Sequence, residues 1–342
     1  MNVISPIQEC ESFRKRETLG KIAGGLAQSG FKTYSWFKKV PSEYLEQAPE
    51  AGRNLELIIE NLIPLALSKP THARLLARAV VDWHKKYTSA QKLCERRDYY
   101  LLTTQEDAKI PFDPKQDTHY AHILSNIALA ARAASDIPRY RKPRNFEYLT
   151  RCFHDLNTIA EEVFHAYPTR GPRDERHNRL SLSVIQKYDP PLNGAPSLHI
   201  AYSALLYNVM KAIGLCDHNS RAWESVEKST YGMPRAVLAI KQHCCADVAF
   251  GLIAARMVFE RRFKKHKFDD LTNKFCELEK RDENTPYSHI KKIHYELLAM
   301  RRGQSLKNLA GEYISKHNFP KLPYDHPKAY FDTRAKKIRL FQ

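Results

Sequence analysis

The chain has 342 residues, a formal net charge of +17, 43% hydrophobic residues and 27% charged residues. This length and composition exclude a wholly disordered chain and allow one large core or two domains. Glycine is scarce, with 12 residues, and alternating β-branched runs are rare, so we expect an all-α fold.

The positive charge favours anionic partners, which include phosphorylated substrates, lipid headgroups and nucleic acid. No zinc-finger spacing, helix-turn-helix signature or aromatic RNA-binding motif stands out, so nucleic acid is not expected. Seven cysteines at irregular spacings fit a reducing compartment. The sequence begins without a signal-peptide pattern, and no uninterrupted apolar run reaches about 18 residues. We therefore expect a cytoplasmic protein that contacts membranes peripherally, if at all.

In chain order, residues 1–50 form a weakly patterned N-terminal segment, and residues 51–262 are predicted to form a helical bundle. Its six or so core helices are expected to begin near residues 51, 70, 118, 146, 196 and 220, with a loop at 103–117. Residues 263–342 are predicted to be a basic helical extension, with helical patterning near 286–301 and 305–315. Basic runs at 261–267 and 336–339 could contact an anionic membrane.

The first candidate motif is the stretch from Tyr188 to His199. Its Asp-Pro-Pro and Asn-Gly pairs predict turns, and Pro196-Ser197 predicts the start of a helix. A helix start offers free backbone N–H groups and the positive end of a dipole, which suit a phosphate. Taken alone, Ser197 and His199 are more simply explained as a helix cap and a buried histidine.

The second candidate motif is Lys241-Gln242-His243 followed by Asp247. His243 and Asp247 are four residues apart, so on a helix they would share one face. An isolated pair of this kind is usually structural, and it lacks a third ligand for a metal. Lys241, His243 and Asp247 nevertheless lie in an otherwise apolar run, where buried ionisable groups are costly unless paired or functional.

Together the two motifs resemble the type 2 phosphatidic acid phosphatase superfamily over roughly residues 118–262. That superfamily includes lipid phosphate phosphatases, class A acid phosphatases and vanadium haloperoxidases. The matching residues are Tyr167-Pro168-Thr169 with Arg170 and Arg173, then Asp189, Pro191, Asn193 and Pro196-Ser197-Leu198-His199, then Lys241-Gln242-His243, Asp247-Val248 and Gly251.

The resemblance implies a role for each residue of the site. His243 would attack phosphorus, Asp247 would hold its imidazole, and His199 would protonate the leaving oxygen and then activate water. Ser197 and the backbone N–H of Leu198 would bind phosphate oxygens, together with a cationic clamp. No metal ion and no cofactor would be required.

The cationic clamp is where the sequence departs from the family pattern. The position of the family's arginine, six residues before the nucleophile, is Val237, and Arg173 is followed by Asp174 where proline is expected. The candidates for the clamp are therefore Arg170, Arg173, Arg235 and Lys241, with Arg176 and Arg179 as further candidates.

The expected function is a metal-independent phosphatase that hydrolyses a phosphate or diphosphate monoester, of a lipid or isoprenyl alcohol, through a phosphohistidine. Two alternatives stay open: a vanadate-dependent haloperoxidase, and a non-catalytic binder of anionic headgroups or nucleic acid. A phosphotransferase, in which an alcohol replaces water, has the same sequence features. The expected partner is an anionic phosphorylated substrate, and the sequence leaves the oligomeric state open.

Overall fold

A computed structural model describes residues 48–68, 70–136, 144–173, 177, 179–214, 220–325, 330–332 and 337–339. The described chain is mostly helical, which confirms the predicted all-α class. In chain order its α-helices are α1 (Ala48–Ser68), α2 (Pro70–Trp83), α3 (Ser89–Cys94), α4 (Gln105–Lys109), α5 (Asp117–Asp136), α6 (Arg144–Ala166), α7 (Leu180–Tyr188), α8 (Leu198–Ala212), α9 (Ser220–Ala239), α10 (Cys245–Arg262), α11 (Phe275–Glu279), α12 (Tyr287–Arg301) and α13 (Leu306–Lys316).

Short irregular helices and strands complete the described fold. A π-helical segment, His84–Thr88, joins α2 to α3, and 3-10 turns cover Pro114–Gln116 and Leu271–Lys274. Strand β1 (Tyr99–Tyr100) pairs antiparallel with β2 (Lys321–Leu322), and β3 (Tyr330–Asp332) pairs antiparallel with β4 (Lys337–Arg339). The first pair ties residues beyond α13 to the segment that follows α3.

The helices α8 and α10 form the centre of the core. Both are buried on nearly every side, as expected for helices that carry apolar residues around their whole circumference. They approach most closely at Gly251, where an added Cβ would lie 2.7 Å from the carbonyl oxygen of Ser197 and 2.9 Å from the Cβ of Ile200. Glycine at this position therefore lets α10 pack directly against the start of α8.

The C-terminal helices share this core. Ile290 and Leu297 of α12, and Leu309 of α13, are fully buried in the same hydrophobic cluster as α8 and α10. Phe250 of α10 also packs edge-on against Tyr313 of α13, with ring centroids 5.4 Å apart. The described C-terminal helices therefore pack against the same core helices, and the predicted boundary at residue 262 stays a prediction.

The break between α9 and α10 differs from the prediction that His243 and Asp247 share a helix face. Helix α9 ends at Ala239 and α10 begins at Cys245, so His243 lies in the connecting turn. Lys241 has a positive φ of 58° there, and its Nζ donates to the carbonyl oxygens of Asp107 (3.2 Å) and Ile110 (2.5 Å).

The predicted loop at 103–117 is what holds this turn. It contains α4 and a 3-10 turn rather than irregular chain alone. The buried carboxylate of Asp107 accepts a 2.6 Å hydrogen bond from the backbone N–H of Cys245, and so caps α10 from a distant part of the sequence. Long-range polar contacts thus interrupt what the apolar pattern indicated as one helical region.

Of the two predicted basic runs, the structure describes the first completely and the second only in part. Among the run at 261–267, the exposed cationic residues are Arg261, Lys264, Lys265 and Lys267, whereas Arg262 forms a two-point ion pair with Asp155 at 2.7 and 2.8 Å. Lys336, in the second run, lies outside the described residues. Within the described ranges, no helix combines the length and the apolar character needed to cross a bilayer.

Candidate functional site

The two sequence motifs meet where α8 and α10 begin. Ser197 is the residue that precedes α8, and its backbone N–H donates to the carbonyl oxygen of Asp247, in the first turn of α10, at 3.0 Å. The rings of His199 and His243 lie with centroids 6.2 Å apart. Two helix starts therefore adjoin the same pair of histidines, and each contributes the positive end of its helix dipole.

The carboxylate of Asp247 serves both the helix and the histidine. Its Oδ2 accepts the backbone N–H of Cys244 at 3.0 Å, while the Cys244 sulfur accepts the N–H of Asp247, which makes a reciprocal cap at the start of α10. Oδ2 also lies 3.4 Å from Nδ1 of His243. At that distance the contact is electrostatic rather than a well-formed hydrogen bond. Because Nδ1 faces Asp247, the other ring nitrogen, Nε2, points away from the carboxylate.

Buried polar atoms without a hydrogen-bond partner cluster around this pair. Among the described residues they include both amide atoms of Asn193, Oγ of Ser197, Nδ1 of His243 and Oδ1 of Asp247. Most buried polar groups in folded proteins are hydrogen-bonded, because an unsatisfied group loses its hydration without compensation. Four such residues side by side are therefore typical of a site that receives a polar ligand.

The loop before α8 is held by the segment that resembles the family's first motif. The carbonyl oxygen of Thr169 accepts the N–H of Asn193, and its Oγ1 accepts the N–H of Ala195, both at 2.9 Å. Gly194 packs so closely that an added Cβ would lie 2.8 Å from Oδ2 of Asp247. Thr169 and Gly194 thus hold the loop that carries Asn193 against the carboxylate.

His199 lies against a buried tyrosine. The ring of Tyr120, on α5, stacks on the imidazole with centroids 3.8 Å apart. The Tyr120 hydroxyl donates to one carboxylate oxygen of Asp189, and the Tyr87 hydroxyl donates to the other at 2.5 Å. Burial lowers the pKa of His199 to about 4, and the charge of His243 adds to this effect, whereas Asp189 opposes it. The imidazole of His199 is consequently neutral at pH 7.

Arg173 is the predicted clamp residue that reaches the histidine turn. Its Nη2 donates to Oε1 of Gln242 at 2.7 Å and to the carbonyl oxygen of Asp189 at 2.5 Å, and its Nη1 donates to the carbonyl oxygen of Gln186 at 2.8 Å. The guanidinium is buried and joins the two motif loops. It therefore places positive charge against Gln242, the residue before His243, while its terminal nitrogens are engaged by protein oxygens.

The other predicted clamp residues have their contacts elsewhere in the described structure. The guanidinium of Arg170 lies 4.2 Å from the ring centroid of Tyr99, and Lys241 binds the carbonyls already described. Arg235 is 43% exposed and lies 3.6 Å from the carboxylate of Asp282. Arg179 forms a two-point ion pair with buried Asp117 at 2.8 and 3.0 Å, and Arg176 lies outside the described residues.

The structure thus brings together Ser197, the first residue Leu198 of α8, His199, His243 and Asp247. Sequence reasoning on candidate sites missed Tyr120, Asp189, Asn193 and Thr169. The last three stand within the family-like pattern, which was the available signal. Nothing in the sequence pointed to Tyr120, because a single tyrosine on a helix is an ordinary core residue.

Comparisons with protein-family models, with curated proteins and with solved structures give no match. Among the described residues, no group of three or more His, Cys, Asp or Glu side chains is arranged to hold a metal ion. The metal-independent chemistry expected from the sequence stays a prediction. The two helix starts and the side chains around them are therefore the features that indicate a function.

Proposed function

We propose that the chain is a phosphatase that hydrolyses a phosphate or diphosphate monoester through a phosphohistidine intermediate. The site would stand in a bundle of about six core helices, with the basic C-terminal part as an extension. The observation that carries the proposal is the pairing of His199 with His243 at two adjoining helix starts, surrounded by unpartnered buried polar atoms.

In the proposed first step, Nε2 of His243 attacks phosphorus while Asp247 faces Nδ1. The bond from phosphorus to the leaving oxygen breaks, and the leaving oxygen takes a proton from His199. His199 is neutral in the unliganded protein, but a bound phosphate places negative charge beside it and raises its pKa. In the second step His199 accepts a proton from water, and the resulting hydroxide displaces phosphate from His243.

Stabilisation of the equatorial oxygens would come from fixed groups. Oγ of Ser197 and the backbone N–H groups at the start of α8 are the candidate donors. Arg173, held against Gln242, would add a positive charge that does not move during the reaction. Such preorganised donors act strongly in a buried site because little water screens them.

The test of this proposal is the His243→Ala variant. We expect phosphate release from isoprenyl and lipid phosphates to fall by at least about 1,000-fold, because a covalent nucleophile is lost. His165→Ala, an exposed histidine on α6, is the matched control and should retain wild-type turnover. Turnover by His243→Ala at the wild-type rate would remove the proposal.

A second candidate function is a non-catalytic binder of phosphate groups. The observation that favours it is the cationic clamp: the terminal nitrogens of Arg173 already bind protein oxygens, and Arg235 and Lys241 contact groups outside the cluster. Binding of inorganic phosphate that is weakened by Ser197→Ala, without turnover of any phosphate ester, would favour this candidate over the phosphatase.

A further inference from the structure

A cavity of about 550 Å³ lies beside the loop at 167–173. Its lining includes Tyr99, Leu101, Arg170, Ser183, Lys187 and Leu192, and neither His199 nor His243 is part of it. Its volume is in the range of small-molecule sites, roughly 300–1,000 Å³. This cavity is consequently separate from the histidine cluster.

One layer of backbone separates the cavity from the turn that carries His243. Gly171 lines the cavity, and an added Cβ there would lie 2.2 Å from the carbonyl oxygen of Gln242. Arg173 also lines the cavity while it donates to the side chain of Gln242. A ligand in the cavity would thus rest on the opposite side of the loop that supports the histidine turn.

The charged side chains of the lining are mostly cationic. Arg170, Arg173 and Lys187 contribute three positive charges, and Glu95 contributes the one carboxylate of the described lining. His177 is a further basic group, although Gln186 lies within hydrogen-bonding distance of its Nε2, at 3.0 Å. An anion in this cavity would therefore meet a favourable potential before any specific contact is counted.

Arg170 is the cation whose bonding is incomplete. Its guanidinium stacks over Tyr99, its Nη2 lies 3.5 Å from the Glu95 carbonyl oxygen, and its buried Nε has no hydrogen-bond partner among the described residues. Burial lowers the pKa of Arg170, which reflects the cost of desolvating its charge. Because Arg170 lines the cavity, an oxyanion bound there would offset that cost, since the guanidinium fork matches phosphate oxygens.

We propose that this cavity is a second phosphate site, in which Arg170 binds the phosphate group of a small organic phosphate while Tyr99, Leu101 and Leu192 contact its apolar part. The proposal does not require His243 to be a nucleophile. The phosphate could belong to a second group on a substrate or to a separate small molecule, and the two sources share this chemistry.

Calorimetric titration of the full chain with phenylphosphonate tests the proposal, because its carbon–phosphorus bond is not a phosphate ester. We expect Arg170→Gln to weaken binding about tenfold through loss of a charge-assisted contact. Ser183→Phe, which places a ring in the cavity from α7, should weaken binding at least as much. Arg281→Gln, an exposed arginine outside the cavity, is the matched control and should bind as the wild type does.

The outcomes separate this site from the histidine cluster. Retained binding in His243→Ala together with loss in Arg170→Gln and Ser183→Phe supports the cavity, whether or not the chain turns over a phosphate ester. Absent wild-type binding, or isotherms of Arg170→Gln and Ser183→Phe that superimpose on the wild type, would overturn it. If turnover is found, competitive inhibition by phenylphosphonate points to a substrate group, and non-competitive inhibition points to a separate molecule.

Discussion

Two buried histidine–aspartate pairs in this molecule differ in how fully the carboxylate is bonded. In the first, Nε2 of His294 lies 2.9 Å from Oδ2 of Asp270, and Oδ1 accepts the N–H and hydroxyl of Thr272 at 3.0 and 2.7 Å. In the second, His243 is 3.4 Å from Asp247, and Oδ1 of Asp247 has no partner among the described residues. One ring nitrogen lacks a partner in each pair, so the difference lies in the carboxylate.

Pairs of the same two residue types can therefore either stabilise the fold or remain open to a ligand. His294 and Asp270 fasten α12 to the 3-10 turn after α10, with Arg256 at 3.5 Å from the same carboxylate. Burial raises the pKa of Asp270, but the hydrogen bond and the charge of His294 outweigh this effect and lower the pKa to about 2. Such a satisfied pair stabilises the fold, whereas a pair left with open hydrogen-bonding capacity can serve a ligand.

The largest expected effect is on global stability. His294→Ala should lower the free energy of unfolding by about 4 kcal/mol, because it opens a cavity and leaves Asp270 without its histidine partner. His243→Ala should lower it by less than about 1 kcal/mol, since the 3.4 Å contact of His243 with Asp247 is too long for a well-formed hydrogen bond. Urea denaturation measures both. Equal losses in the two variants would show that the His243 pair is structural as well.

The next effect is a pH dependence with two windows. The pKa of His199 is about 4 in the folded chain, below its ordinary value of 6.5, so the unfolded chain binds more protons between these values. The resulting stability is present above pH 6.5 and is lost as the pH falls to 4, by up to about 3 kcal/mol. In denaturation measured from pH 3 to 7, His199→Gln should reduce this change in the free energy of unfolding. A smaller change should remain from His119, because burial also lowers its pKa.

Asp270 governs the lower window. Its folded pKa of about 2 lies below the ordinary value of 3.8, so its stabilising contribution is present above pH 3.8 and is lost as the pH falls through 2. Asp270→Asn should therefore remove stability at pH 5 and reduce the further loss below pH 4. If His199→Gln changed the lower window instead, the assignment of the two windows would be wrong.

A smaller effect distinguishes the two glycines that surround the Asp247 pair. Gly251→Ala should lower the free energy of unfolding by about 2 kcal/mol, because its Cβ would meet backbone and force α8 and α10 apart. Gly194→Ala should cost about 1 kcal/mol, because the group in its way is a side chain. In an assay of phosphate release, Gly194→Ala should nevertheless lose most activity, since it displaces the Asp247 carboxylate. A fully active Gly194→Ala variant would contradict the role of Asp247.

The smallest effect concerns Tyr120, whose ring stacks on His199. Tyr120→Phe keeps the ring that stacks on His199 but removes one donor from Asp189, which should lower the free energy of unfolding by about 1 kcal/mol. Tyr202→Phe, which removes a hydroxyl bonded to Asn157, is the matched control for a buried tyrosine. If Tyr120→Phe loses more free energy of unfolding than Tyr202→Phe, Asp189 is a stabilising carboxylate like Asp270.

Local patterns in the sequence predicted much of the helical structure. Apolar residues at three- and four-residue spacing indicated α5, α6, α12 and α13, because that spacing builds one buried face. Ser197 before α8 was expected as the start of a helix, since turn residues precede it. These elements depend mainly on interactions between neighbours in the chain, which a sequence shows directly.

Contacts between distant residues were not predictable in the same way. The apolar run around residue 241 contains neither glycine nor proline, so nothing local indicated the turn between α9 and α10. That turn depends on the contacts of Lys241 and Cys245 with Asp107. Similarly, the sequence indicated cationic residues near the site, but the neighbours of each long side chain decide where Arg170 and Arg173 place their charge.

The cap that Asp107 provides for α10 has a kinetic consequence. The bond to Cys245 joins residues 138 positions apart, and the bond from Lys241 to Asp107 joins residues 134 apart. Closing loops of that length is entropically unfavourable until other contacts have formed, whereas helices assemble locally and fast. We therefore expect the chain to become compact and helical before the turn that carries His243 reaches its final geometry, so the site should be completed among the last steps of folding.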